Sequence, residues 1–251
     1  MEIQKSGAFS YIDRGQGPVI VILHGLFGSL SNFERLIALS EKKYRFIMPI
    51  LPLFDCEIKN AHLDFLLEYF RRFIDHLKLQ DYSILGNSLG GHVALLNELN
   101  YPNETRSLIL TGSSGLFENS IGNQFPKRDK ETLKEKIEIT FGNKSMVTSE
   151  LVDELYSVIS NYSKVLRIIK LAKSATRQNL THDIEKIKTK TLLVWGEDDK
   201  ITPPFVANQF YEKLENSELA WIANCGHAPM MEYPEDFSKS MIPFLDKVYL
   251  S

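Results

Sequence analysis

The chain is short of cysteine, of long apolar runs and of surplus basic charge, and each shortage removes a class of protein. Two cysteines, Cys56 and Cys225, stand in 251 residues. They have no metal-ligand spacing and are too few for a disulfide scaffold, so both are read as free thiols and no metal is expected. No stretch approaches the roughly 20 apolar residues of a membrane span. The opening Met1-Glu2-Ile3-Gln4-Lys5-Ser6-Gly7 lacks the apolar core of a secretory signal, so the expectation is a cytoplasmic protein. Lys and Arg number 29 against 32 Asp and Glu, a formal net charge of −3, which leaves no broad basic field for nucleic acid. Internal repeats, low-complexity tracts and flexible linkers are missing as well. What is present is 43% hydrophobic and 24% charged residues, enough for a sizeable buried core in one continuous globular unit.

Apolar, β-branched runs alternate with helical patterns along most of the chain. Strands are expected over 8–12, 19–23, 45–50, 82–85, 107–110, 191–195 and 218–222. Between them, 63–77 carries Phe and Leu at helical spacing with charges interleaved, a core-facing stripe. Alternation of this kind predicts an α/β fold with a mostly parallel sheet, helices on both faces, and its site at the strand ends. The interval 116–181 breaks the alternation and turns charged and helix-prone, with helices expected near 131–140, 148–159 and within 161–176. It is read as a helical insertion that packs back as a cap, leaving 1–115 and 182–251 as the core.

The segment Leu85-Gly86-Asn87-Ser88-Leu89-Gly90 places Gly-x-Ser-x-Gly between an apolar strand and an apolar helix start. That context fits a serine held on a tight turn with its hydroxyl clear of the backbone, since glycines two positions either side remove the clashing Cβ atoms. A serine hydroxyl needs a base, and the base needs an acid to orient it. Downstream, the strand 191–195 runs into Gly196-Glu197-Asp198-Asp199, and the strand 218–222 is followed by Asn224-Cys225-Gly226-His227. Ser88, an acid among Asp198 and Asp199, and His227 therefore follow one another in order, each just past a strand end. The acids also suit the N-terminus of a helix begun by Thr202-Pro203-Pro204, a role open to either.

Four segments, His24-Gly25-Leu26-Phe27-Gly28-Ser29, Gly86-Asn87-Ser88-Leu89-Gly90-Gly91, Leu193-Val194-Trp195-Gly196-Glu197-Asp198-Asp199 and Gly226-His227, resemble those of serine hydrolases of the α/β-hydrolase superfamily. The resemblance implies a doubly wound, mostly parallel sheet with a small helical cap. It implies Ser88 as nucleophile, His227 as base and Asp199, by family register, as the orienting acid. Some relatives place the acid after the strand that follows the nucleophile helix, but Thr111-Gly112-Ser113-Ser114-Gly115 offers no carboxylate. The backbone amides of Leu26 and Leu89 would form the oxyanion hole, and His24 would shape its loop without acting as a base.

The implied chemistry is acyl transfer to water on a small-molecule ester, without a cofactor. Phe27, Leu89, Leu116, Phe117 and Met230 flank these motifs, and an apolar pocket is expected where they point inward, although each suits core packing equally. The alternative within the superfamily is carbon–carbon bond hydrolysis of vinylogous diketones. Members of that group resemble this chain at Asn87-Ser88-Leu89-Gly90-Gly91 but carry a richer glycine run after the first strand and an active-site arginine, for which Arg167 and Arg177 are the candidates. A different class of reading is a ligand-binding module that reuses the scaffold without turnover.

Overall fold

A computed structural model describes residues 2–28, 30–119 and 129–250. Ser29, the end of one motif, and 120–128, part of the expected insertion, lie outside the described residues. Eight strands form one sheet: β1 (Gln4–Ser6), β2 (Phe9–Gly15), β3 (Val19–Leu23), β4 (Arg45–Pro49), β5 (Tyr82–Asn87), β6 (Thr105–Thr111), β7 (Thr191–Gly196) and β8 (Ser217–Ile222). Their spatial order is β1-β2-β4-β3-β5-β6-β7-β8. The β1–β2 and β2–β4 pairs are antiparallel, and every later pair from β4 to β8 is parallel. The inner strands β3, β5, β6 and β7 carry apolar runs because both of their faces are buried, whereas the edge strand β8 is only partly buried.

Alternate residues of each strand enter opposite core layers, as a period of two requires. Val21, Leu23, Ile84, Leu108, Leu110, Leu193 and Trp195 pack with α2 (Leu63–Leu77), α3 (Leu89–Asn100) and α7 (Pro204–Lys213). Ile20, Ile22, Leu85, Ile109, Leu192 and Val194 pack with α1 (Glu34–Ser40), the single turn α8 (Pro229–Glu232) and α9 (Pro234–Tyr249). Helix starts follow local chemistry. The His62 ring accepts the Phe65 N–H ahead of α2, and α9 opens on Pro234, whose missing N–H costs nothing in a first turn.

Between β6 and β7 lie α4 (Lys130–Glu138), α5 (Ser149–Ile159) and α6 (Tyr162–Arg177), each capped by a side chain: Asp129, Thr148 and Asn161. Leu133, Ile137, Val152 and Ile159 give this insertion a small core of its own. It is tied down at several places. Arg167 Nε donates to the Cys56 carbonyl at 2.6 Å and Lys170 Nζ to that of Ile58 at 2.8 Å. Ser174 Oγ accepts the Leu63 N–H at 3.0 Å, and the Leu180 N–H reaches the Gly115 carbonyl at 2.7 Å. Among the described residues no helix is long and apolar enough to cross a membrane.

Candidate active site

The β5–α3 turn holds Ser88 at φ 53°, ψ −120°, a backbone region that side chains with a Cβ rarely occupy and that costs about 1–3 kcal/mol. The neighbours make that turn possible. A Cβ on Gly86 would stand 2.6 Å from Gly91 Cα, and one on Gly90 would overlap the Leu23 carbonyl. With glycine at both positions, strand and helix close against each other and lift Ser88 to the end of the sheet.

Asp199 and His227 meet past neighbouring strand ends, where the side chain of Asn87, the residue before Ser88, reaches the His227 carbonyl. His227 Nδ1 lies 2.9 Å from Asp199 Oδ2, with both residues buried. The other carboxylate oxygen, Oδ1, accepts the backbone N–H groups of Ile201 at 2.8 Å and Thr202 at 2.9 Å, while Thr202 Oγ1 donates to Oδ2 at 2.8 Å. Asp198 is exposed. Burial lowers the His227 pKa, but the charge and hydrogen bond of Asp199 outweigh it and raise it above the ordinary imidazole value. With Nδ1 engaged, Nε2 is the nitrogen left for exchange with a substrate or nucleophile.

The register explains the neighbourhood. Asn87 pairs with Thr111 across β5 and β6, so Ser88 and Gly112 are the next residues on adjacent strand ends. Gly112 adopts φ +50°, and a Cβ there would stand 2.8 Å from His227 Nδ1. This position demands glycine on two counts, handedness and room for the imidazole. Asn87 Nδ2 donates to the Thr111 carbonyl at 3.0 Å and to the His227 carbonyl at 3.3 Å, tying the serine strand to the histidine loop.

On the other side, a Cβ on Gly25 would lie 3.2 Å from Ser88 Cβ, which puts the loop after β3 directly against the serine. His24 fixes that loop. Its Nε2 accepts the Leu51 N–H at 3.1 Å, so Nδ1 carries the proton and donates to the Gly25 carbonyl at 2.9 Å; burial holds its pKa below the ordinary value. Leu26 follows within this turn. Leu89 is the first residue of α3, and the first amides of a helix have no partner inside it.

The remaining predicted residues separate by burial. Leu116 and Met230 are buried, Met230 completely and within the α1–α9 core layer; Phe27 and Phe117 are exposed. Phe117 packs against Phe205 with the rings tilted and their centroids 5.2 Å apart. Arg167 uses Nε on Cys56 and Nη1 on the Ser163 carbonyl at 2.9 Å, and Arg177 is exposed at the end of α6. Sequence reasoning did not single out Asn87 or Thr202 for a role at the site. Thr202 stands three residues after an acid in a turn-forming run, the Asx-type spacing that could have marked it.

A doubly wound sheet with a strained serine turn, a buried Asp–His pair and a fixed loop after β3 defines the class, and residues 18–234 match the family of the alpha/beta hydrolase fold. The chain belongs to that family. It is 35% identical, with a TM-score of 0.81, to the solved structure of MGS-MChE2, an alpha/beta hydrolase enzyme from the metagenome of sediments of the Mar Chica lagoon, covering 98% of this chain and 99% of that one. It is 25% identical to the monoacylglycerol lipase ABHD6 of Bos taurus over 94% of this chain and 77% of that protein. It is also 27% identical to a 2-hydroxy-6-oxononadienedioate/2-hydroxy-6-oxononatrienedioate hydrolase of Comamonas testosteroni over 93% of this chain and 89% of that protein.

Proposed function

We propose that the protein is a serine hydrolase that cleaves a small or medium, largely apolar ester through an acyl-enzyme. The observation that carries this reading is the Asp199–His227 pair at 2.9 Å, set at the strand end next to the strained Ser88. His227 Nε2 takes the Ser88 proton as Oγ attacks the ester carbonyl carbon. The Leu26 and Leu89 amides stabilise the oxyanion. The tetrahedral intermediate collapses, His227 gives the proton to the leaving alkoxide, and the alcohol departs from the acyl-serine. Water then attacks with His227 as base, releasing the acid and restoring Ser88. Asp199 holds the imidazole in the tautomer this needs and stabilises the imidazolium. The described helices α4 to α6 of the insertion act as the cap: α6 is tied beside Cys56 and Ile58, while the turn after α4 reaches the His227 backbone, so these helices would shield the acyl-enzyme.

Carbon–carbon hydrolysis of a vinylogous diketone is the second reading, favoured by the likeness to the Comamonas hydrolase. Against it stand the engagement of Arg167 with backbone carbonyls and the exposure of Arg177. The deciding experiment measures turnover of p-nitrophenyl esters of increasing acyl length beside a vinylogous diketone, for the native protein and Ser88→Ala. Repeated ester turnover is expected, falling by several orders of magnitude in Ser88→Ala to the roughly 10³–10⁴-fold over water left by binding and the oxyanion hole. Near-normal hydrolysis by Ser88→Ala overturns the mechanism. Higher kcat/KM on the diketone than on any ester moves the assignment to the second reading, and a single stoichiometric reaction without turnover moves it to a binding module.

A further inference from the structure

Glu232, the last residue of α8, is a buried carboxylate that the chemistry above does not use. Both oxygens accept hydrogen bonds. Oε1 takes the Gly226 N–H at 2.9 Å and the Cys225 thiol at 3.7 Å, and Oε2 takes the Asn143 N–H at 2.9 Å. Gly226 immediately precedes His227, whereas Asn143 belongs to the turn that follows α4, so one side chain joins the helical insertion to the histidine loop. The two segments also touch directly. The His227 N–H donates to the Thr140 carbonyl at 2.7 Å, and Cβ atoms placed on Gly226 and Gly142 would lie 2.6 Å from Gly142 N and 2.8 Å from the Asn224 carbonyl carbon. Phe141, between them, packs against both the insertion's own core and the α1–α9 layer.

We propose that Glu232 is a positioning residue that clamps the helical insertion to the His227 loop, setting the imidazole over Ser88 and placing a negative charge beside it. The proposal rests on His227 being the base. N–H donors on both oxygens are the pattern of an ionised carboxylate, and they act against the burial that pushes the Glu232 carboxyl above its ordinary range. The charged groups that act on His227 come from three directions: Asp199 after β7, Glu118 after β6 and Glu232 from α8. Cys225, on the same loop, stays a neutral thiol because burial, Glu232, Asp199 and Asp198 all push its pKa up. Removing the Glu232 charge therefore weakens the imidazolium as well as freeing the loop.

Glu232→Gln keeps the shape but loses the charge and turns an amide N–H toward a backbone N–H. Its kcat on the best ester is expected to fall about tenfold to a hundredfold, the scale of a small misplacement of reacting groups, and the acid limb of its kcat/KM profile to move to lower pH. Gly142→Ala pries the turn from the loop with the charge left in place, so kcat falls while the acid limb stays. A Glu232→Gln protein with native kcat overturns the clamp, as does one whose kcat falls with an unmoved acid limb, the signature of ordinary packing. Where Glu232→Gln does not give folded protein by thermal melting, native kcat in Gly142→Ala overturns it instead. Ser88→Ala run alongside separates the two readings. Turnover surviving that change sinks the triad, whereas turnover lost there but untouched in both junction variants sinks only the clamp.

Discussion

Asp199 divides its two oxygens between a local turn and a distant ring. Oδ1 closes the turn on Ile201 and Thr202, and Oδ2 faces His227, 28 positions away. The sequence suggested a helix cap or a partner of the histidine for these acids; α7 has Pro203 at its N-cap and no capping side chain, so Asp199 closes the turn ahead of that helix and faces the histidine, and Asp198 is left exposed. Local chemistry did not separate the neighbours, because either carboxylate suits a turn; only family register pointed to the second. Asp199→Asn should therefore lower kcat/KM by about 10⁴-fold, the loss seen when an orienting acid of this kind becomes an amide, and Asp198→Asn should leave it within a few-fold. Because Asp199 holds the His227 pKa above 6.5 against burial, and only the neutral imidazole acts as base, the native acid limb should lie above pH 6.5. Whatever activity Asp199→Asn retains should extend to lower pH. Profiles of kcat/KM between pH 5 and 9 check both points; equal losses in the two variants would detach the acid's role from this contact. The strained turn at Ser88 and the loop position of His227, as candidates, were legible from order and flanking pattern. Asn87, Thr202 and Glu232 were not, since their partners at the site are chosen by the fold.

At the scale of elements, the buried parallel strands were readable to within a residue or two because Val, Ile and Leu runs flanked by turn residues carry their own signal. Strand β5 extends to Asn87 and β6 begins at Thr105, past the expected ends, since pairing with neighbours continues where apolarity stops. Strand β1, Gln4–Ser6, is three exposed or half-buried polar residues paired only with β2, and nothing in its composition announces a strand. The one-turn α8 is likewise set by packing on α1 and α9, not by propensity. The strand–turn–helix unit at Ser88 depends instead on close approach. Gly90→Ala would drive a methyl into the Leu23 carbonyl at the end of β3, so α3 would have to lift from the sheet. The expected cost is about 3 kcal/mol or more, read as a lower urea midpoint at unchanged slope. A midpoint shift that corresponds to less than about 0.5 kcal/mol of stability would mean the helix has room to move.

For the molecule as a whole, the insertion and the serine helix are coupled through a group that cannot tolerate charge. His92 lies on α3, one helical turn beyond Ser88, fully buried, and its Nε2 donates to the Gln178 carbonyl just past α6 at 2.9 Å. Its Nδ1 has no hydrogen-bond partner among the described residues, and burial pushes the ring's pKa down to about 4. The unfolded chain binds a proton at this histidine near pH 6.5, whereas the folded protein resists until about pH 4. Stability from the neutral ring is therefore complete above pH 6.5 and is lost as the pH falls from there toward 4, by roughly 3 kcal/mol in all. His92→Gln keeps a donor for the Gln178 carbonyl but does not titrate. It should be less stable than the native protein at pH 7.5, with the difference shrinking or reversing at pH 4.5. His24, also buried with a lowered pKa, is present in both proteins and cancels from the comparison. Urea midpoints at the two pH values measure the effect. Parallel losses in both proteins would show that acid acts elsewhere, and a flatter profile in the variant would identify protonation of His92 as a source of the acid destabilisation.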